Sequence, residues 1–158
     1  MSSTRTRFLV IDASVARAAG ETEHPVSSAC RSFLRAVLEI CHKVAVNDEI
    51  RAEWQRHQSR FTRKWRRSMA ARRKPLRDVE PIDTGLDLQA FALPQRAAVA
   101  KDLCLLETAL AADLEIVTLD DALPRALATT RQGIRLRDRI TWHNPVADGT
   151  EGLGRKAT

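Results

Sequence analysis

The chain has 158 residues, 44% of them hydrophobic, with a formal net charge of +6. That length supports one domain with a real core and is short for two. No apolar run approaches the roughly 20 residues needed to span a bilayer. Nothing after "MSSTRTR" resembles a secretory signal, so a soluble, cytoplasmic protein is expected. Three cysteines without CxxC spacing, Cys30, Cys41 and Cys104, argue against a disulfide framework or a structural zinc site and are expected to be buried as small apolar residues.

In chain order, "FLVI" (Phe8 to Ile11) reads as a short buried strand ending at Asp12. A helix follows, with Ala29, Phe33, Val37 and Ile40 on one face and Ser27 or Ser28 near its start. "KVAV" reads as a second strand. Asn47 or Asp48 then caps a long helix whose apolar stripe runs through Ile50, Trp54, Phe61, Trp65 and Met69. That stripe could pack internally or serve a homodimer. Pro75, Pro81 and Gly85 make a return connection. From about Pro94 to Leu114 the pattern is helical, in one or two pieces, with Val99, Leu103, Leu106 and Leu110 on one face. "EIVTL" is a third strand, and a helix from Asp121 tolerates Pro124 in its first turn. "GIRLRDRITW" alternates as a strand would, with Ile134, Leu136, Ile140 and Trp142 inward. Residues 1–145 form the expected domain, and 146–158 a flexible tail rich in Gly and charge.

Strands alternating with helices, and strands apolar throughout, imply an α/β fold of three layers, α/β/α, with a mainly parallel central sheet. Ligands in such sheets sit beyond the carboxyl ends of the strands. Asp12 and Asp120 both close strands. Glu53 follows the second strand by two helical turns, and Asp102 precedes the third strand on a helical segment. Singly, Asp12 could be a turn residue, Asp102 a solvated helix acid, Asp120 a helix cap, and Glu49 could replace Glu53. Together they read as a cradle for a hard divalent cation, Mg²⁺ or Mn²⁺, because several carboxylates at one rim repel unless neutralised. Asp121 reads as the cap of the next helix, and His57 as a surface residue.

Charge is uneven along the chain. Between Arg51 and Arg77 there are eleven Lys or Arg and one acid, Glu53, a local +10 that leaves the remainder near −4. This basic helical arm, about residues 48–77, suggests a polyanion held beside a carboxylate site, or else a solvated helix face. The residues expected to meet phosphates are Arg60, Arg63, Lys64, Arg66, Arg67, Arg72, Arg73 and Lys74.

The motifs "VIDAS", "NDEIRAEW", "KDLCLLETAL" and "IVTLDD" resemble, in order, those of the PIN-domain nucleases, which include toxin ribonucleases of bacterial toxin–antitoxin pairs. The resemblance covers about the first 125 residues. It implies a PIN-like fold and a metal-dependent endoribonuclease in which Asp12, Glu53, Asp102 and Asp120 form an acidic quartet, supported by Ser14 and Thr118. It also implies an RNA substrate and, for a toxin, an antitoxin partner. The arginine density of the arm and the length past the last acid depart from the compact toxins. A non-catalytic, basic nucleic-acid-binding adaptor on the same scaffold is the alternative. A phosphatase with a strand-end aspartate nucleophile would want an acid two residues after it, where this chain has Ser14.

Overall fold

The computed structural model describes residues 5–154. Five strands, β1 (Phe8–Ile11), β2 (Lys43–Val46), β3 (Arg77–Asp78), β4 (Glu115–Val117) and β5 (Thr141–His143), form one sheet in the order β3-β2-β1-β4-β5. Every pairing is parallel. Helices flank the sheet to give the three-layer α/β/α arrangement. The central strands are apolar end to end because both faces are covered: Leu9, Val10, Ile11, Ile116 and Val117 are fully buried. The edge strand β3 is two exposed, charged residues, which blunts that edge against pairing with another chain. Among the described residues no helix is long and apolar enough to cross a membrane.

The helices are α1 (Ala13–Ala18), α2 (Pro25–Ile40), α3 (Asp48–His57), α4 (Arg60–Ala71), α5 (Leu93–Lys101), α6 (Leu103–Leu110), α7 (Ala122–Leu127), α8 (Arg131–Arg139) and α9 (Pro145–Asp148). The helix α2 starts at Pro25 under a His24 cap rather than at Ser27 or Ser28. The basic arm is two helices instead of one. Ser59 accepts from Thr62 N and donates to Ala19 O, and Thr62 Oγ1 donates to Ala16 O, so the two hydroxyls fasten the start of α4 onto α1 and end α3 at Gln58. The stripe Ile50, Trp54, Trp65 and Met69 is buried, with Trp54 and Trp65 rings 6.1 Å apart, and Phe61 is half-buried beneath Arg35. It therefore belongs to the core of this chain.

Two more segments differ from expectation. "RQGIRLRDR" is helix α8, capped by Thr130, and only Thr141–His143 is strand. Leu136 and Ile140 are buried, as period-2 reading required, but Ile134 is exposed and Trp142 half-buried. Gly133, Leu136 and Ile140 also fall at helical spacing, and Gly133 packs so closely on α7 that a Cβ there would lie 2.1 Å from Leu127 O. The segment after Val146 packs on the domain as far as Gly154: Asn144 caps α9, Leu153 is fully buried, His42 Nε2 lies 2.7 Å from Leu153 O, and Arg7 donates to Gly152 O. Residues 155–158 lie outside the described residues. Of the cysteines only Cys30 is buried; Cys104 is half-buried and Cys41 exposed. Burial pushes the Cys30 thiol up to about 11.

Candidate active site

The strand order reverses direction at β1, whose neighbours are β2 on one side and β4 on the other. Chains wound both ways from such a point leave a crevice at the carboxyl ends of the diverging strands. Asp12 stands there, its N–H donating to Val117 O across the β1/β4 ladder. Ser14 Oγ donates to Asp12 Oδ2 at 2.6 Å and Thr118 Oγ1 donates to the same oxygen at 3.3 Å. Thr118 Oγ1 in turn accepts from Asp120 N, and Asp120 Oδ1 accepts from Ala122 N. The two strand ends are thus tied by hydroxyls that orient Asp12 and fix the loop carrying Asp120.

Glu53 arrives from the second strand. Asn47 caps α3 by accepting from Ile50 N, and Trp54 donates its indole N–H to Ile11 O at 2.8 Å. The buried indole locks α3 under the end of β1 and leaves the preceding residue, Glu53, at the crevice. Asp102 sits where α5 turns into α6, with φ −109° and ψ 19°, and Leu105 and Leu106 bury the first turn that follows it. Leu103, expected to help anchor it, is only half-buried.

All four acids line one cavity of about 240 Å³, together with Ser14, Arg17, His57 and Lys101. Their mutual influence is visible at Asp102. Burial, then the charges of Asp12, Asp120 and Glu53, push its carboxyl up to about 6, with Lys101 opposing. Its carboxylate accepts no hydrogen bond from a described residue. Among the described residues no three His, Cys, Asp or Glu side chains are drawn together into a ready metal clasp.

Glu49, the other candidate for the second acid, faces a different cavity with Asp48, Asp78 and Glu80, so Glu53 is the α3 acid at the crevice. Asp121 caps nothing: its carboxylate pairs with Arg125, and the Ala122 N–H is taken by Asp120. Arg17 and Lys101 were not singled out by the sequence. Arg17 lies one turn beyond Ser14 and Lys101 adjoins Asp102, but both read as ordinary surface cations until the fold brings α1 and α5 to the crevice. His57, four residues after Glu53, also belongs to the lining.

The arm's cations do not form one stripe. Arg63, Arg66 and Arg67 line a groove with Arg51. Lys64 lies on the opposite flank of α4, pairing with Glu21 at 3.5 Å, and Arg72 donates to Leu38 O. Arg60 and Arg73 are exposed, Arg73 with φ 60°, and Lys74 is half-buried. A larger cavity of about 490 Å³ between α2 and α4, around Arg31, Arg35 and Trp65, contains none of the four acids. Comparison with protein-family models, with curated proteins and with solved structures gives no match to this chain.

Proposed function

We propose that this protein is a divalent-metal-dependent endoribonuclease, with Asp12, Glu53, Asp102 and Asp120 as its acidic quartet. The observation that carries the reading is the convergence of four carboxylates from four separate elements on one crevice at the sheet's switch point, crowded enough to push Asp102 up to about 6. The donor set fits Mg²⁺ or Mn²⁺, since it is all carboxylate oxygen, with no thiolate among the residues lining the crevice. Asp12 would anchor the principal ion, Asp102 and Asp120 would complete its hold, and Glu53 would serve a second. When bound, such ions supply an activated water and a positive centre for the leaving oxygen.

The chain's own residues do the rest. Ser14 and Thr118 hold Asp12 Oδ2, and its other oxygen accepts no hydrogen bond from a described residue, so it stays available to a cation. Lys101 and Arg17, at the same cavity, would bind the non-bridging oxygens of the scissile phosphate and position it against the acids. Buried Trp54 and the Ser14–Thr118 pair keep this geometry on rigid elements.

A test follows from substrate class: purified protein with Mn²⁺ should release short fragments from RNA, and release of phosphate from small phosphoesters instead would point to a phosphatase. A second reading, a nucleic-acid-binding adaptor that cuts nothing, draws on the cluster of Arg51, Arg63, Arg66 and Arg67 around one groove. RNA binding without divalent-dependent cleavage would select it. Action as a toxin would further require an antitoxin partner, which co-expression with a neighbouring small reading frame would test.

A further inference from the structure

We propose that the groove of Arg51, Arg63, Arg66 and Arg67 binds the backbone of single-stranded RNA on the flank of α3 away from the acid crevice, so that a strand reaching both must wrap the helix. The groove has a volume of about 310 Å³ and a floor of Ala70, Pro75 and Leu76. The part of the inference that links the groove to the crevice rests on the nuclease reading above; the binding itself does not.

The groove is built rather than accidental. Arg51 is held by Asp78 Oδ1 and by Leu76 O, both at 3.1 Å, and half-buried Arg66 donates to Gln58 Oε1 at 2.9 Å. Two guanidinium groups are thereby fixed in place. Exposed Arg63 and Arg67 have no ion-pair partner among the described residues, and Asp78 is the single acid paired with any of the four. Burial, and after it the neighbouring Arg51, push the Arg66 guanidinium below its ordinary range. Planar guanidinium forks match phosphate oxygens in pairs, and a cluster of four with one paired acid among them suits a polyanion.

Geometry puts this groove around the helix from the quartet. Successive helical residues turn by about 100°, so Arg51 and Glu53 project about 160° apart across α3. Half the circumference of a helix about 11 Å across is roughly 17 Å, a span that a few nucleotides of single strand cover. Oligonucleotides of about four residues then reach one site, and those of about twelve reach both.

The test is anisotropy with labelled RNA of about four and about twelve nucleotides, in EDTA across a salt series, for wild type and the double variant Arg63→Gln/Arg67→Gln. Both residues are exposed and partnerless, so the variant should keep the wild-type circular dichroism and melting temperature. Wild type should bind the longer RNA at least about tenfold more tightly, and the variant should lose that advantage with a salt slope shallower by about 1.4, two contacts at ~0.7 each. An unchanged slope, or displacement of nothing but an acidic peptide such as polyglutamate, would overturn the assignment. If wild type cuts RNA with Mn²⁺ while the variant binds as tightly as wild type, the groove fails and the nuclease reading stands. If the variant loses binding while wild type cuts nothing, the groove stands and the nuclease reading fails.

Discussion

Replacing Asp102 by Asn should stabilise the metal-free protein. Its carboxyl is raised from 3.8 to about 6, chiefly by burial and then by Asp12, Asp120 and Glu53. An acid whose folded pKa exceeds its unfolded value keeps its proton longer in the folded state, so its contribution to stability falls as pH rises through that window and is fully unfavourable above about 6. At about 1.4 kcal/mol per pH unit the limit is about 3 kcal/mol, and partial solvation of the side chain lowers this to about 1.5–3 kcal/mol. Asn keeps the shape and sheds the charge, and no described residue donates to the carboxylate, so no hydrogen bond is lost. For a chain of this size the gain corresponds to roughly 3–10 °C in Tm. Thermal melts in EDTA at about pH 5 and about pH 7.5 should show the variant ahead at the higher pH and its lead roughly halved at the lower. Mn²⁺ at about 1,000-fold excess over Kd should reverse the order, since it stabilises the wild type by about 4.1 kcal/mol. A variant no more stable than wild type at the higher pH would refute the crowding argument and place Asp102 in solvent or in a close pair with Lys101.

Asp12→Asn should abolish the Mn²⁺-induced rise in Tm; an equal rise in variant and wild type would show that the ions bind elsewhere. Leu153→Ala should cost about 2–4 kcal/mol, read by urea denaturation, because Leu153 is fully buried under the segment that His42 and Arg7 fasten; a change under about 0.5 kcal/mol would mean that this segment is detached in solution. Burial lowers the His42 pKa from 6.5 while its Nδ1 accepts from Arg7 N. The unfolded chain therefore takes up this proton first as pH falls below 6.5, and stability declines from there downward. His42→Gln should flatten that decline relative to wild type, and parallel stability curves for the two proteins would show that His42 does not carry it.

The site was legible where charge stands against burial. Asp12 directly follows the apolar run of β1 and Asp120 lies in the loop after β4, and both come to the crevice; β1, β2 and β4 were readable as continuous apolar runs. Features set by tertiary contacts were not. Leu136 and Ile140 satisfy both a period of 2 and a period of 3.6, and what decides for α8 is the Thr130 cap and the contact of Gly133 with Leu127 O, neither visible in apolar patterning. The division between α3 and α4 depends on hydroxyls bonding α1, some 40 residues earlier in the chain. Leu153 is one apolar residue among glycines and charges, yet the fold buries it. Arg17 and Lys101 carry no local signal, and the arm's cations look alike until helix geometry sends Arg63, Arg66 and Arg67 to one flank and Lys64 to the other.

The central claim is that the converging acids cut RNA by holding metal, and the most direct measurement is Mn²⁺-dependent RNA cleavage by wild type beside Asp120→Asn. Asp120 is exposed and its Oδ1 accepts only the Ala122 N–H among the described residues, a bond that Asn retains. The account predicts fragment release by wild type that stops in EDTA, and a variant with wild-type circular dichroism and Tm whose cleavage falls to background. Near-wild-type turnover by the folded variant would contradict it.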